Sequence, residues 1–161
     1  MGAVYFPSWD GYVYAVKESD GSLIWKQNLQ QLTGINSTGV IFNVNVTASR
    51  TTPTIAEDLL IIGITGPAFV VAVKRSNGEM VWSTLLDANP AGCITMSGTY
   101  YKGKDIVVAV QKSRFAWALD HDDGNIIWST EAGPGGLTGG GMWGAATDEK
   151  RVHTNIVNSD R

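Results

Sequence analysis

Cysteine is almost missing from these 161 residues, Cys93 standing alone. One thiol excludes an internal disulfide, an all-cysteine metal site and a haem attached through C-x-x-C-H. Charge is scarce as well, at 17% of residues, and 12 Lys+Arg against 15 Asp+Glu leave a net charge of −3. No broad phosphate-binding surface follows from that balance, so no nucleic-acid partner is expected. Long apolar runs are also lacking. The longest, Ala68-Phe69-Val70-Val71-Ala72-Val73, is far short of the roughly 18 residues a helix needs to cross a bilayer. No membrane association is expected. The opening MGAVYFPSWDG has neither the basic stretch nor the long apolar core of a secretory leader. Two sequons, Asn36-Ser37-Thr38 and Asn45-Val46-Thr47, would be glycan acceptors in a secreted parent, so location stays open.

What is present is a globular composition, 43% apolar with 19 glycines and 5 prolines, and an internal repeat. Three segments align without gaps: GYVYAVKESDGSLIWKQNL, FVVAVKRSNGEMVWSTLL and FAWALDHDDGNIIWSTEA. Each carries an alanine, a glycine six residues on and a tryptophan four beyond that: Ala15/Gly21/Trp25, Ala72/Gly78/Trp82 and Ala118/Gly124/Trp128. All three marks move together, by 57 residues and then by 46. In the first segment Tyr12, Tyr14 and Val16 alternate with Val13 and Ala15, the period-two pattern of a strand. Asp20-Gly21, Asn77-Gly78 and Asp123-Gly124 are dipeptides suited to hairpin turns with positive φ. The recurring small residue and recurring indole predict packing between repeats, a ring worth roughly 150–250 Å² filling a slot.

Further strand candidates precede the second and third hairpins: Thr51–Ala56 with Leu59–Thr65, and Cys93–Tyr101 with Asp105–Gln111. No stretch of a dozen residues has helical periodicity. Four short antiparallel strands per repeat of this length form the pattern of a β-propeller blade. The expected fold is therefore all-β. It is a partial propeller of about three four-stranded blades plus the start of a fourth, in one domain. The units fall at about 1–29, 51–86, 93–132 and 142–161, with an insertion at 30–50. Three blades and a part cannot close a ring of four to eight, so a segment of a larger propeller is expected.

The unit A-x-D-x-x-(D/N)-G-x-x-x-W, closest at Ala118-Leu119-Asp120 with Gly124 and Trp128, resembles the repeat of quinoproteins that use pyrroloquinoline quinone. Gly133–Asp148, GPGGLTGGGMWGAATD, followed by Lys150-Arg151-Val152, resembles a passage of the polyvinyl alcohol dehydrogenase-like branch. The resemblance implies a quinoprotein alcohol dehydrogenase-like propeller with the quinone and a Ca²⁺ on its axis, oxidising small-molecule or polymeric alcohols. By motif position, Trp143 matches the tryptophan that stacks on the quinone, a flat apolar floor for a planar ring. Asn158 falls near the family's calcium-binding asparagine, and an amide carbonyl is a hard oxygen donor suited to Ca²⁺. Two features of the family are missing. Its adjacent-cysteine disulfide has no counterpart. No glutamate occupies the calcium-ligand position in Thr65-Gly66-Pro67-Ala68 or Gln111-Lys112-Ser113-Arg114.

Other polar groups read as structural. Trp25, Trp82 and Trp128 follow the repeat, whereas Trp143 breaks it. Asp120, His121, Asp122 and Asp123 look like metal ligands, but they align with Lys17–Asp20 and Lys74–Asn77, which marks a solvated turn. Gly133–Gly141 lacks the G-x-x-x-x-G-K-(S/T) pattern of a phosphate loop and is read as close approach between blades. Ser97, Ser113 and Ser129 have no nucleophile context. Lys112 is read as a surface lysine and His153 as a packing or surface residue. Two functions follow. One is a quinone-dependent alcohol dehydrogenase. The other is a non-catalytic propeller that binds a partner through its loops, or a fragment without activity of its own that self-associates through open blade edges.

Overall fold

A computed structural model describes residues 2–37, 46–136, 139–148 and 150–157. Thirteen strands and one short helix are found among them. The first sheet holds β1 (Ala3–Pro7), β2 (Tyr12–Lys17) and β3 (Leu23–Asn28). The second holds β4 (Thr54–Ala56), β5 (Leu59–Ile64), β6 (Ala68–Lys74) and β7 (Met80–Asp87). The third holds β8 (Thr99–Tyr101), β9 (Ile106–Val110), β10 (Phe115–Asp120) and β11 (Ile126–Glu131). The fourth pairs β12 (Gly140–Thr147) with β13 (Val152–Val157). Every sheet is an antiparallel meander in chain order. The partial propeller expected from the repeat is the observed fold.

Each hairpin follows the same local chemistry. Gly21, Gly78 and Gly124 adopt φ of 70°, 73° and 73°, and their amides donate to the carbonyls of Lys17, Lys74 and Asp120. The preceding Asp or Asn does not share the positive φ. Its carboxylate or amide oxygen instead accepts from the backbone two residues on, at Ser22, Glu79 and Asn125, an Asx turn. Immediately before each turn the register slips, between Ala15/Val16, Ala72/Val73 and Ala118/Leu119. The repeating alanine stands directly across from the repeating tryptophan in every hairpin.

The indoles reach the next sheet. Trp25 Nε1 donates to the Arg75 carbonyl at 2.9 Å, and Trp82 Nε1 to the His121 carbonyl at 2.8 Å. Each ring lies against the turn glycine of that next hairpin: a Cβ on Gly78 would meet Trp25 Cε3 at 2.7 Å, and one on Gly124 would meet Trp82 Cε3 at 2.5 Å. Glycine is thus needed twice, for its φ and for the room it leaves. Two residues past each of these tryptophans, Gln27 Nε2 donates to Asn77 O and Thr84 Oγ1 to Gly124 O. The apolar cores lie between sheets. Val13, Ala15 and Trp25 meet Leu60, Ile62, Val71 and Val73, and Ala72 and Trp82 meet Val107, Ala109 and Leu119.

The insertion holds one helical turn, α1 (Leu29–Thr33), shorter than periodicity can reveal. Asn28 caps it by accepting from Gln31 N, Gly34 closes it in the left-handed region, and Leu29 is its buried anchor.

Candidate functional site

In a meander, the links after the second and fourth strand of each sheet emerge on one face. Close backbone contacts knit that face together. Gly66 N donates to Gly92 O, Lys112 N to Cys93 O, and Gly136 N to Lys112 O. A buried polar chain runs beneath it: Trp117 Nε1 donates to Gln111 Oε1 at 3.2 Å, and Gln111 Nε2 to Asp87 Oδ2 at 2.6 Å. Gln111 is fully buried, so both of its polar ends require these partners.

The glycine-rich segment crosses this face where side chains cannot fit. A Cβ on Gly140 would lie 2.0 Å from Lys112 O, one on Gly141 2.4 Å from Val110 Cγ1, and one on Gly135 2.5 Å from Ser113 O. The run lets β12 press against the β9–β10 loop, the close approach expected from sequence. Pairing of β12 with β13 slips between Gly141 and Ala145, and Trp143 sits in that irregular stretch. Its ring is 76% exposed, against 8% for Trp25 and 6% for Trp82. The neighbouring Gly144, at φ 119°, has nothing within 4 Å of a Cβ position. Trp143 is therefore largely exposed, with open space beside it at Gly144.

Metal ligands are a different matter. Asn158 lies outside the described residues, and among those described no group of three or more His, Cys, Asp or Glu comes together. The carboxylates on this face are already engaged, Glu131 with Arg114 at 3.4 Å. Asp87 accepts from Gln111 and from Asn89 N, while Asp10 accepts from Tyr14 Oη and Tyr12 N. The Tyr14 hydrogen bond holds the Asp10 carboxyl below its usual range. A small cavity of about 180 Å³ between the second and third sheets is lined by Asp87, Cys93, Lys112 and Ser113. Burial pushes the Cys93 thiol up despite Lys112 and Arg50 nearby, which keeps it protonated and inert.

The Asp120–Asp123 turn corrects one expectation. Asp122 and Asp123 are exposed and Asp120 half-buried, but His121 is buried at 7% exposure. Nδ1 lies 2.8 Å from Asp122 Oδ1 and Nε2 lies 3.2 Å from Ala56 O in the second sheet. Tyr100 lies against the ring, centroids 5.0 Å apart and planes tilted by 39°. Both ring nitrogens face acceptors, which favours imidazolium. Burial opposes the charge, but Asp122, Ala56 O and Glu57 outweigh it and hold the pKa above the usual 6.5. No sequence signal pointed to this role, because Ala56 is 65 residues away. His153, by contrast, is exposed on β13, 3.0 Å from Asp148 Oδ2.

Residues 9–155 match the repeat family described as the outer membrane protein assembly factor BamB. A 59-residue stretch is 37% identical to a polyvinylalcohol dehydrogenase of Pseudomonas sp, covering 36% of this chain and 9% of that protein. The fold superposes on a quinohemoprotein alcohol dehydrogenase from Comamonas testosteroni with TM-score 0.71 and 16% identity, over 96% of this chain and 30% of the other. BamB from Moraxella catarrhalis superposes with TM-score 0.63 and 17% identity, over 94% of this chain and 40% of that one. The chain thus spans less than half the length of each of these relatives.

Proposed function

The chain belongs to the pyrroloquinoline-quinone repeat propeller family, and on that premise we propose that it serves a quinone-dependent alcohol dehydrogenase of the polyvinyl alcohol dehydrogenase-like type. The observation that carries this reading is Trp143. It is the one repeat-breaking indole of the glycine-rich passage, and it is turned out where the interblade tryptophans are turned in. Its ring would stack on the quinone and exclude water from one side of it. Gly144, with nothing within 4 Å of a Cβ position, leaves open space beside that ring. When bound, the quinone would supply the two-electron acceptor for alcohol oxidation. Asn158 enters the proposal as an oxygen donor to Ca²⁺. The described carboxylates do not form the rest of such a site, so no step is routed through the metal.

Equilibrium dialysis of pyrroloquinoline quinone against the chain, with and without Ca²⁺, tests this. Saturable binding, weakened at least tenfold by Trp143→Ala and made Ca²⁺-independent by Asn158→Ala, is expected. No saturable binding at about 1 mM quinone would remove the dehydrogenase reading. A second reading, a cofactor-free scaffold, is favoured by the engagement of Asp10 and Asp87 within the fold and by the likeness to BamB. It is the one left standing by that outcome.

A further inference from the structure

We propose that Asn77 is a site of spontaneous covalent modification, its side-chain amide lost through attack by the Gly78 nitrogen at a rate set by docking of the first sheet on the second. Asn77 is the one asparagine in the sequence that precedes a glycine. Glycine has no Cβ to crowd its own nitrogen, so this backbone amide can reach the neighbouring Cγ. The step needs no partner beyond water. Gly78 N gives its proton to hydroxide and bonds to Asn77 Cγ, while the side-chain nitrogen takes up a proton and leaves as ammonia. Water then opens the five-membered imide at either carbonyl. One product is aspartate. The other is isoaspartate, whose main chain runs through the former side chain and is one carbon longer.

In the docked chain each of these moves is held back. Asn77 is exposed, but its Oδ1 accepts from Glu79 N at 3.0 Å, and Gly78 N donates to Lys74 O at 2.8 Å. Both groups must release these partners before they can meet. Gly78 is itself buried beneath the first sheet. A Cβ there would lie 2.7 Å from both Trp25 Cε3 and Gln27 Cγ, and Gln27 Nε2 donates to Asn77 O at 3.3 Å. Taking the proton from a hydrogen-bonded, covered amide requires local opening, as hydrogen exchange does. Trp25 and Gln27 resist that opening from a neighbouring sheet.

The two products fare differently in the turn. Aspartate fits, since Asp20 and Asp123 hold the same station and their carboxylates accept from the backbone two residues on. Isoaspartate does not. An extra main-chain carbon beside Gly78 has no room where that residue already lies against the Trp25 ring. The turn must move off the indole, and the bond from Trp25 Nε1 to Arg75 O, which belongs to the same turn, goes with it. The modification thus records opening of this junction, and one of its products prevents reclosure. It is independent of whether a quinone binds.

Ageing the full chain at pH 8.5 and mapping its peptides by mass spectrometry tests this. The amide-to-acid mass change locates the site, and a protease that cuts before aspartate but not isoaspartate separates the products. Loss of the Asn77 amide should be at least tenfold slower in the folded chain than in urea, because it proceeds through opening. Gln27→Ala, which removes one hydrogen bond across the junction, should speed it about threefold or more in the folded chain. Thr84→Ala, the equivalent loss at the next junction, should leave it unchanged. Chains aged in urea are then refolded and sorted by product. Those with isoaspartate should lose protection of Trp25 Nε1–H against hydrogen exchange, whereas those with aspartate, like Asn77→Asp, should keep it. No loss of the amide in urea, equal rates in folded and unfolded chain, a Gln27→Ala rate no faster than that of Thr84→Ala, or a protected Trp25 beside isoaspartate would overturn the proposal.

Discussion

Trp82 and Trp128 hold the same station in successive repeats, and their surroundings differ completely. Trp82 is sealed, hydrogen-bonded to His121 O and pressed on Gly124. Trp128 stands partly open over a groove lined by Lys104, Lys150 and Val152. Its own hairpin is the same in both cases, down to the facing alanine and the Asx-stabilised turn. The repeat therefore encodes two half-interfaces on opposite faces of one hairpin. Trp128 already packs against Val110, Ala116 and Ala118, and a receiving turn is what seals the outer side of Trp82.

Substituting Trp82 by alanine should break the comparison most visibly. Loss of a sealed indole costs about 3–5 kcal/mol, and urea unfolding should record that fall. Trp128→Ala should cost about 1–2 kcal/mol, since part of its surface is already in water. Equal losses would mean that the ring stabilises its own hairpin rather than the junction. Next come the glycines. Alanine at Gly21 has only the left-handed backbone to bear, about 1–2 kcal/mol. Alanine at Gly124 bears the same strain and also pushes into Trp82, for a further ~1–3 kcal/mol. The difference between the two unfolding free energies isolates the overlap.

His121 sharpens the same junction through pH. Its folded pKa lies above 6.5, so its contribution is fully present below that value and is lost as pH rises through the folded pKa. Urea midpoints should fall from pH 5.5 to pH 8.5, and His121→Gln should flatten the component of that slope belonging to this group. An unchanged slope would remove the imidazolium from the junction. The smallest effect is expected at Trp143. Its exposed ring should change stability by no more than about 0.5 kcal/mol on replacement by alanine, while quinone binding drops. A large loss of stability would make it a fourth packing indole.

The three hairpins were legible because their determinants are local: an alternation, a turn dipeptide and an indole at fixed spacing. The break in period at Trp143 was legible for the same reason, and its exposure agrees with that break. Long-range pairings left no mark. His121 looked like one polar residue among aspartates, and its burial comes from Ala56 and Tyr100, brought up by other sheets. The turn α1 escaped notice because five residues hold less than two helical turns. The glycine-rich run was readable as close approach, but which backbone it approached, the Lys112–Ser113 loop, was not. Of the two site residues inferred by resemblance, Trp143 is placed and Asn158 lies outside the described residues.

The account rests on indoles that leave their own sheet to dock on the next. Hydrogen exchange of the tryptophan Nε1–H groups, followed by NMR, reads this directly. Trp25 and Trp82 should exchange only through opening of the junctions they seal, far more slowly than Trp128 and Trp143. Rapid exchange at Trp82, or equal protection of Trp82 and Trp128, would contradict it.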